Sequence, residues 1–140
     1  MTVVEALPGG GWYSKILLPY LGSDGEYLTK SLAEAFRALK SGGIVGVVQH
    51  LAPDDASDEW ANGSKGYLKK AFVIKHMQDA GFEYVDSSDV NLNPADMPGA
   101  DDIVWRLPPS FATSSDNPEL KGKYMAISES TRMTLKFRKP

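Results

Sequence analysis

Apolar residues recur along part of this chain with the period of a helix. Between residues 28 and 39 they fall every three or four positions, which predicts an amphipathic helix. Ser31–Glu34 fits a capping box at the start of such a helix, and Gly42–Gly43 are expected to end it. The continuous apolar run Ile44–Val48 then predicts an interior parallel strand that is buried on both faces.

The pattern changes in the second half of the chain. A further helix is predicted over Tyr67–Ala80, with Tyr67, Ala71, Ile74 and Met77 facing inward. Gly81 follows its last turn, and Phe82–Val85 is expected to be a strand. Residues 86–130 are rich in Pro, Asn, Asp and Ser, and they are expected to be mostly irregular. Met133–Phe137 alternates between apolar and polar residues, which predicts a final strand.

The N-terminal residues combine a short β-branched segment with glycines. Thr2–Ala6 is predicted to be a strand, and it leads directly into Leu7–Gly11. Apolar residues then recur at helical spacing over Trp12–Leu21, so we expect a strand, a glycine turn and a helix. Such a turn presents bare backbone N–H groups at a helix N-terminus, which suits a ligand. A glycine-rich connection with no ligand is an equally simple interpretation of the same residues.

Composition narrows the class of protein. The 140 residues allow one domain, and the order of the predicted elements indicates an α/β protein with a mixed sheet. The 15 basic and 18 acidic residues give a net charge of −3, so we expect no nucleic-acid partner and no anionic membrane. Cysteine is absent, and no apolar run approaches the length of a membrane span. Met1–Glu5 lacks the features of a signal peptide, which predicts a cytoplasmic location.

Two histidines are candidates for chemistry. His50 follows the Ile44–Val48 run at the end where ligand crevices form in open α/β sheets, and its side chain could act as a base. A histidine that only contacts water or a loop is the alternative interpretation. His76 lies inside a predicted helix and is expected near the surface. The acidic residues of Asp54–Glu59 lack the spacing of a calcium loop, so no metal site is predicted.

Several segments resemble one protein family when they are taken together. Val3–Tyr13 resembles the first motif of class I S-adenosylmethionine-dependent methyltransferases, E-x-G-x-G-x-G. It is especially similar to a predicted bacterial methyltransferase family in which the string P-G-G-G-W-Y-[ST] is typical. Ala35–Val48 resembles the family's helix–turn–strand block, and Asp79–Glu83 resembles its step into the next strand. Asn91–Asp96 and Ser128–Phe137 resemble its C-terminal blocks.

The resemblance implies a fold, a cofactor and a set of contact residues. The fold would be a shortened Rossmann-like methyltransferase domain over residues 1–140, a three-layer mixed sheet with helices on both faces. The cofactor would be S-adenosylmethionine. The residues implied to contact it are Glu5, Pro8, Gly9, Gly10, Gly11 and Tyr13. Leu7 departs from the pattern by standing in place of the first glycine. The family's N-terminal extension and the middle of its fold have no counterpart here, so ribose and adenine contacts have no assigned residues.

Two functions follow from the resemblance and its departures. The first is methyl transfer from S-adenosylmethionine to a small acceptor, with His50 as the one candidate base. The second is a non-catalytic methyltransferase-like remnant that serves as a ligand-binding or dimerisation module. The Ile44–Val48 strand is expected beside the first strand. Loss of the middle of the fold would leave that first strand at a sheet edge, which predicts a homodimer.

Overall fold

The computed structural model of the protein describes residues 2–7, 10–14 and 28–140, the first two segments as strand backbone. Five strands and three α-helices lie within these residues. In chain order they are β1 (Thr2–Leu7), β2 (Gly10–Ser14), α1 (Leu28–Ala38), β3 (Ile44–His50), α2 (Lys70–Asp79), β4 (Glu83–Ser88), α3 (Pro118–Ile127) and β5 (Arg132–Arg138). The chain is therefore a mixed α/β protein.

The strands form one sheet in the order β2-β1-β3-β5-β4. β3 lies in the interior beside β1, as predicted. The prediction that it is a parallel strand is wrong, because β3 is antiparallel to both β1 and β5. The predicted mixed sheet is also wrong for the described strands, because all four pairs of neighbouring strands are antiparallel. β5 is also antiparallel to β4, so β3 and β4 run in the same direction with β5 between them. The backbone N–H of Arg132 donates to Asn91 O at 2.9 Å, which places the start of β5 near the end of β4. β5 therefore starts at the end of the sheet where β3 and β4 both finish.

The main core lies on one face of this sheet. β3 contributes alternate residues, and Val45 and Val47 are fully buried, whereas Ile44, Gly46 and Val48 are half-buried. The prediction that this strand is buried on both faces is therefore wrong. The buried core cluster consists of Leu28, Leu32, Leu39, Val45, Val47, Leu68, Val73, Met77, Phe82, Met133, Leu135 and Phe137. Because α1 and α2 both contribute to this one cluster, they cover the same face of the sheet, and this part of the chain has two layers.

Glycines follow the ends of α1 and α2, as the sequence predicts. Gly42 and Gly81 have φ values of 81° and 101°, the left-handed conformation that glycine adopts most readily. α1 begins at Leu28, so the predicted capping box at Ser31–Glu34 lies inside the helix instead of starting it. α1 and β3 nevertheless lie where the period and the apolar run place them.

The helix predicted over Tyr67–Ala80 is shorter at its start. α2 begins at Lys70, because Leu68 is extended beside the end of β3. The backbone N–H of Leu68 donates to His50 O at 3.0 Å, and the carbonyl of Leu68 accepts from Ala52 N at 2.9 Å. Ala71 is exposed instead of facing inward, and Val73 is buried with Met77.

Gly10 and Gly11 lie in a strand instead of in a turn that leads into a helix. β1 is present as predicted, but Gly10–Ser14 is β2, antiparallel to β1, with Leu7 opposite Gly10. Two residues separate these strands, the length of the tightest β-hairpin connection. Trp12 and Tyr13 have aromatic side chains, which suit a strand at least as well as a helix. Pro8, Gly9 and the remainder of the predicted helix, residues 15–21, lie outside the described residues.

The segment expected to be irregular contains two short helical elements. A 3-10 turn spans Val104–Arg106, and α3 spans Pro118–Ile127. The side chain of Asn117 accepts a hydrogen bond from Leu120 N at 3.0 Å, and Pro118 occupies the first turn. These start signals are visible in the sequence. α3 buries none of its residues, so it lacks the apolar stripe by which helices are usually predicted.

Candidate functional site

Polar side chains converge where β3 ends. His50 is the last residue of β3, and Arg132, the first residue of β5, lies opposite it in the register. His50 Nδ1 is 2.5 Å from Ser130 Oγ, and Ser130 is buried. The His50 ring also meets the Tyr67 ring edge to face, with 6.2 Å between the ring centroids. The histidine is thus held in one orientation by a serine and an aromatic ring.

The surroundings of His50 favour the neutral imidazole. Burial is the main cause that lowers the pKa of His50 from 6.5 to about 4, and the nearby positive charge of Arg132 contributes to this shift. A neutral imidazole has one nitrogen that accepts a hydrogen bond and one that donates. His50 can therefore accept a proton from a bound group at neutral pH, or simply stabilise Ser130. The contact with Ser130 favours the second, structural role.

A buried charged cluster lies next to His50. It consists of Tyr67, Asp96 and Arg106, and the side chains of Asp96 and Arg106 are 0% and 1% exposed. Arg106 Nη2 donates to Asp96 Oδ1 at 2.6 Å, and Arg106 Nη1 donates to the Tyr67 hydroxyl at 2.7 Å. The Tyr67 hydroxyl lies 3.2 Å from Asp96 Oδ2, which also accepts from Thr131 N at 2.9 Å. We call this group the Asp96 cluster.

Burial and hydrogen bonding act differently on the members of the Asp96 cluster. Burial raises the pKa of Tyr67, so its hydroxyl stays protonated. Burial alone would lower the pKa of Arg106, but the hydrogen bonds to Tyr67 and Asp96 outweigh it and raise that pKa. Asp102 adds a second carboxylate, 3.5 Å from Arg106 Nε. Arg106 and Asp96 thus have close polar partners, which indicates a structural cluster that holds the 89–131 segment against the body.

The sequence predicts His50 at this position but not the Asp96 cluster. Asp96 falls inside a segment that resembles the methyltransferase family, and no prediction from the sequence includes Arg106. One signal was available, because Arg106 sits among the apolar residues Ile103, Val104 and Leu107 in an otherwise polar region. A charged residue in an apolar run is buried only with a partner, so this run predicts an acidic residue close to Arg106.

The glycine segment lies at the other end of the sheet. Glu5 is opposite Val45 and Trp12, and Gly11 is opposite Ala6. Val45 precedes His50 by five residues, so Glu5 and His50 are separated by about 17 Å along β3 at ~3.4 Å per residue. Gly10 and Gly11 lie farther still, because β1 runs away from the His50 end. The structure therefore does not bring the predicted cofactor residues and the candidate base together.

The backbone of the glycine segment fits a small polar ligand in one respect. In antiparallel pairing, alternate residues direct their N–H and C=O groups away from the partner strand. With Leu7 and Gly10 flanking a two-residue connection, Gly11 and Tyr13 direct theirs to the side of β2 that faces away from β1, where no described strand pairs with it. These groups can bind an amine or carboxylate, and Gly11 has no side chain to obstruct it. The helix N-terminus expected here is not part of the site, since Gly10–Ser14 is extended.

The described residues provide neither a metal-binding cluster nor a membrane-spanning helix. Within residues 28–140 and the described strands β1 and β2, no group of three or more His, Cys, Asp or Glu side chains is arranged to hold a metal ion. Asp58, from the acidic loop, binds Lys69 Nζ at 2.7 Å. None of the described helices has the length and apolar character needed to cross a membrane.

Comparison with known proteins gives no relatives. No family model, no curated protein and no solved structure matches this chain.

Proposed function

We propose that this protein is a methyltransferase-like domain that binds S-adenosylmethionine and transfers its methyl group to a small acceptor. The cofactor residues in this proposal are Glu5, Pro8, Gly9, Gly10, Gly11 and Tyr13. The observation that carries the proposal is structural agreement in the later blocks of the resemblance. Ala35–Val48 forms the end of α1, a glycine turn and β3, and Asp79–Glu83 forms the end of α2, a glycine turn and the start of β4.

The topology of these blocks also supports the proposal. β3, α2 and β4 form a strand–helix–strand unit with two strands in the same direction, and β5 lies antiparallel between them. Strand–helix–strand units with two strands in the same direction are typical of α/β domains, although all neighbouring strands described here pair antiparallel. A shortened Rossmann-like fold and a cytoplasmic location belong to the same proposal. Its third layer would require a helix on the face of the sheet opposite α1 and α2.

In this proposal the main contribution of the protein to methyl transfer is to position the acceptor. S-adenosylmethionine supplies an activated methyl group, so the protein gains most by holding the acceptor in line with that carbon. The open backbone at Gly11 would hold the amino-acid end of the cofactor. His50 receives no role in this step, because it lies about 17 Å from Glu5 along β3.

The second candidate function is a non-catalytic binding or dimerisation module. The observation that favours it is the hairpin β1–β2, which replaces the strand–turn–helix of the cofactor motif. The two functions differ in turnover. A catalytic domain releases S-adenosylhomocysteine from S-adenosylmethionine when small acceptors are supplied, whereas a module binds without turnover.

Calorimetric titration with S-adenosylhomocysteine tests cofactor binding directly. We expect the protein to bind it and Gly11→Val to abolish binding, because a side chain at Gly11 would obstruct approach to the backbone. Valine suits a strand, so the variant should fold. Gly122→Val is the matched control, since Gly122 lies on exposed α3 and a Cβ there meets nothing within 4 Å. Failure of the unaltered protein to bind, or equal binding by Gly11→Val, would reject the proposed cofactor site.

We also propose a homodimer, but not through the strand predicted from the sequence. β1 is not a sheet edge, because it pairs with β2 and β3; among the strands that the structure describes, the edges are β2 and β4. β4 carries Glu83 and Asp86 and a register shift between Tyr84 and Asp86, features that discourage edge pairing. β2, Gly10–Ser14, carries no charged residue and is the better edge for two-fold strand pairing. Such pairing would use the same outward backbone groups of Gly11 and Tyr13 as the cofactor, so the dimer and the bound cofactor exclude each other at this edge.

Light scattering after gel filtration measures the mass of the species in solution. We expect twice the chain mass of 15.2 kDa. We expect Tyr13→Pro, which removes a backbone N–H from the side of β2 that faces away from β1, to give the single-chain mass. Val85→Pro on β4 serves as the control and should leave the dimer intact. A mass of one chain across a wide concentration range would contradict the dimer.

A further inference from the structure

An open depression of about 430 Å³ lies between the acidic loop and the start of α2. Its lining comes from residues 58–62 on one side and from Lys69 and the first two turns of α2 on the other. This volume falls in the range of small-molecule sites, roughly 300–1,000 Å³. It lies apart from the glycine segment in sequence and contains none of the residues assigned to the cofactor.

The floor of the depression is apolar and includes a fixed aromatic ring. Ala61, Ala71 and Phe72 line it. The Phe72 ring packs against His76, with 4.0 Å between the ring centroids, and His76 Nδ1 lies 2.9 Å from Phe72 O. Phe72 also packs against the main core, so the part of its half-buried ring that lines the depression is held in place for contact with a planar apolar group.

Two lysines line the depression, and each forms an exposed ion pair with an aspartate. Lys69 Nζ binds Asp58, whose side chain is 95% exposed, and Lys75 binds Asp79 on the surface of α2. Such exposed pairs are weak, so each lysine can exchange its carboxylate for that of a ligand at little cost. Lys69 precedes α2 without a side-chain cap, and the first turn contains no acidic residue. The positive end of the helix dipole therefore adds to the lysine charges.

We propose that this depression binds a small planar aromatic anion, such as an aromatic carboxylate, with its ring against Phe72 and its carboxylate between Lys69 and Lys75. The ligand replaces the carboxylates of Asp58 and Asp79 at the two ammonium groups. Asn62, at the rim, supplies an amide for a further hydrogen bond. An uncharged ring of the same shape satisfies only the apolar half of the site and binds more weakly.

The test is titration of the ¹⁵N-labelled protein with 2-naphthoate, followed by amide chemical shifts. We expect saturable shifts confined to residues 58–76, and about ten-fold weaker binding of the neutral analogue 2-naphthamide at low salt. Lys69→Gln and Lys75→Gln together should weaken 2-naphthoate by about ten-fold or more and leave 2-naphthamide unchanged. Ala71→Leu, which fills the floor from an exposed position, should weaken both probes.

A matched lysine separates this site from general anion attraction. Lys123 also forms an exposed ion pair four residues along a helix, with Glu119 on α3, and Lys123→Gln should leave both affinities unchanged. The proposal is overturned if 2-naphthoate causes no saturable shifts in residues 58–76 at millimolar concentration. It is also overturned if naphthamide binds as tightly as naphthoate, or if Lys123→Gln weakens binding as much as the Lys69 and Lys75 changes.

Discussion

Replacing Arg106 by methionine is expected to lower the free energy of unfolding by about 3–5 kcal/mol. The substitution removes the cation that faces Asp96 and leaves a carboxylate whose side chain is 0% exposed with only Tyr67 and Thr131 as partners. Uncompensated buried charge is among the most destabilising changes in a protein core. Urea denaturation followed by circular dichroism measures the loss.

Two further variants test whether the loss comes from the unpaired charge. Arg106→Met combined with Asp96→Leu removes both charges, so it should cost less than the sum of the single changes. Arg37→Met removes the cation from an exposed pair with Glu34 and should change stability by less than about 0.5 kcal/mol. If Arg106→Met cost no more than Arg37→Met, the Asp96 cluster would not be the anchor described above.

The stability of the protein is expected to fall between about pH 6.5 and pH 4 because of His50. The unfolded chain binds a proton on this histidine near pH 6.5, but in the folded protein burial lowers its pKa to about 4. The unfolded state therefore holds more protons in this window, and acid favours it. Above pH 6.5 this contribution is constant, and at pH 4 most of about 3 kcal/mol should be lost.

The variant His50→Asn isolates that contribution, because asparagine keeps a polar atom near the position of Nδ1 but does not titrate. Free energies of unfolding at pH 7 and pH 4.5 should differ less for His50→Asn than for the unaltered protein. The carboxylates titrate in both and their effects cancel in the comparison. His76→Asn, a change on the surface of α2, is the control. Equal pH dependence in the unaltered protein and His50→Asn would show that His50 does not titrate in this window.

The elements predicted correctly are those whose pattern is local. α1 has an apolar stripe, and β3 has an uninterrupted apolar run. Gly42 and Gly81 mark helix ends because they adopt left-handed φ values, which cost glycine less free energy than they cost most other residues. Each of these signals acts within one or two turns of chain, so a single sequence contains all the information needed.

β2 was mispredicted because its pattern suits two structures. Apolar residues after Gly11 fall at helical spacing, yet Trp12 and Tyr13 also favour a strand. Pairing with β1, which in turn pairs with the distant β3, decides between the two. The direction of β3 has the same origin, since its neighbour β5 lies more than 80 residues later in the chain. Spacing along the sequence says nothing about such pairings.

The candidate site was predicted in part for a related reason. His50 could be placed because it ends an apolar strand. The Asp96 cluster joins positions 67, 96, 106 and 131, which share no period and no motif. Only the folded chain brings these residues together, and their burial could be inferred in advance only from Arg106 standing among apolar neighbours.

The place of β5 in the sheet constrains the order of folding during synthesis. β5 follows every other described element in sequence, yet it lies between β3 and β4 and bridges them. On the ribosome, β3 and β4 therefore emerge without the strand that joins them, and their facing edges stay unpaired until residues 132–138 have left the exit tunnel. Unpaired strand edges and exposed core residues favour aggregation, so the nascent chain passes through a vulnerable interval that ends only when β5 inserts.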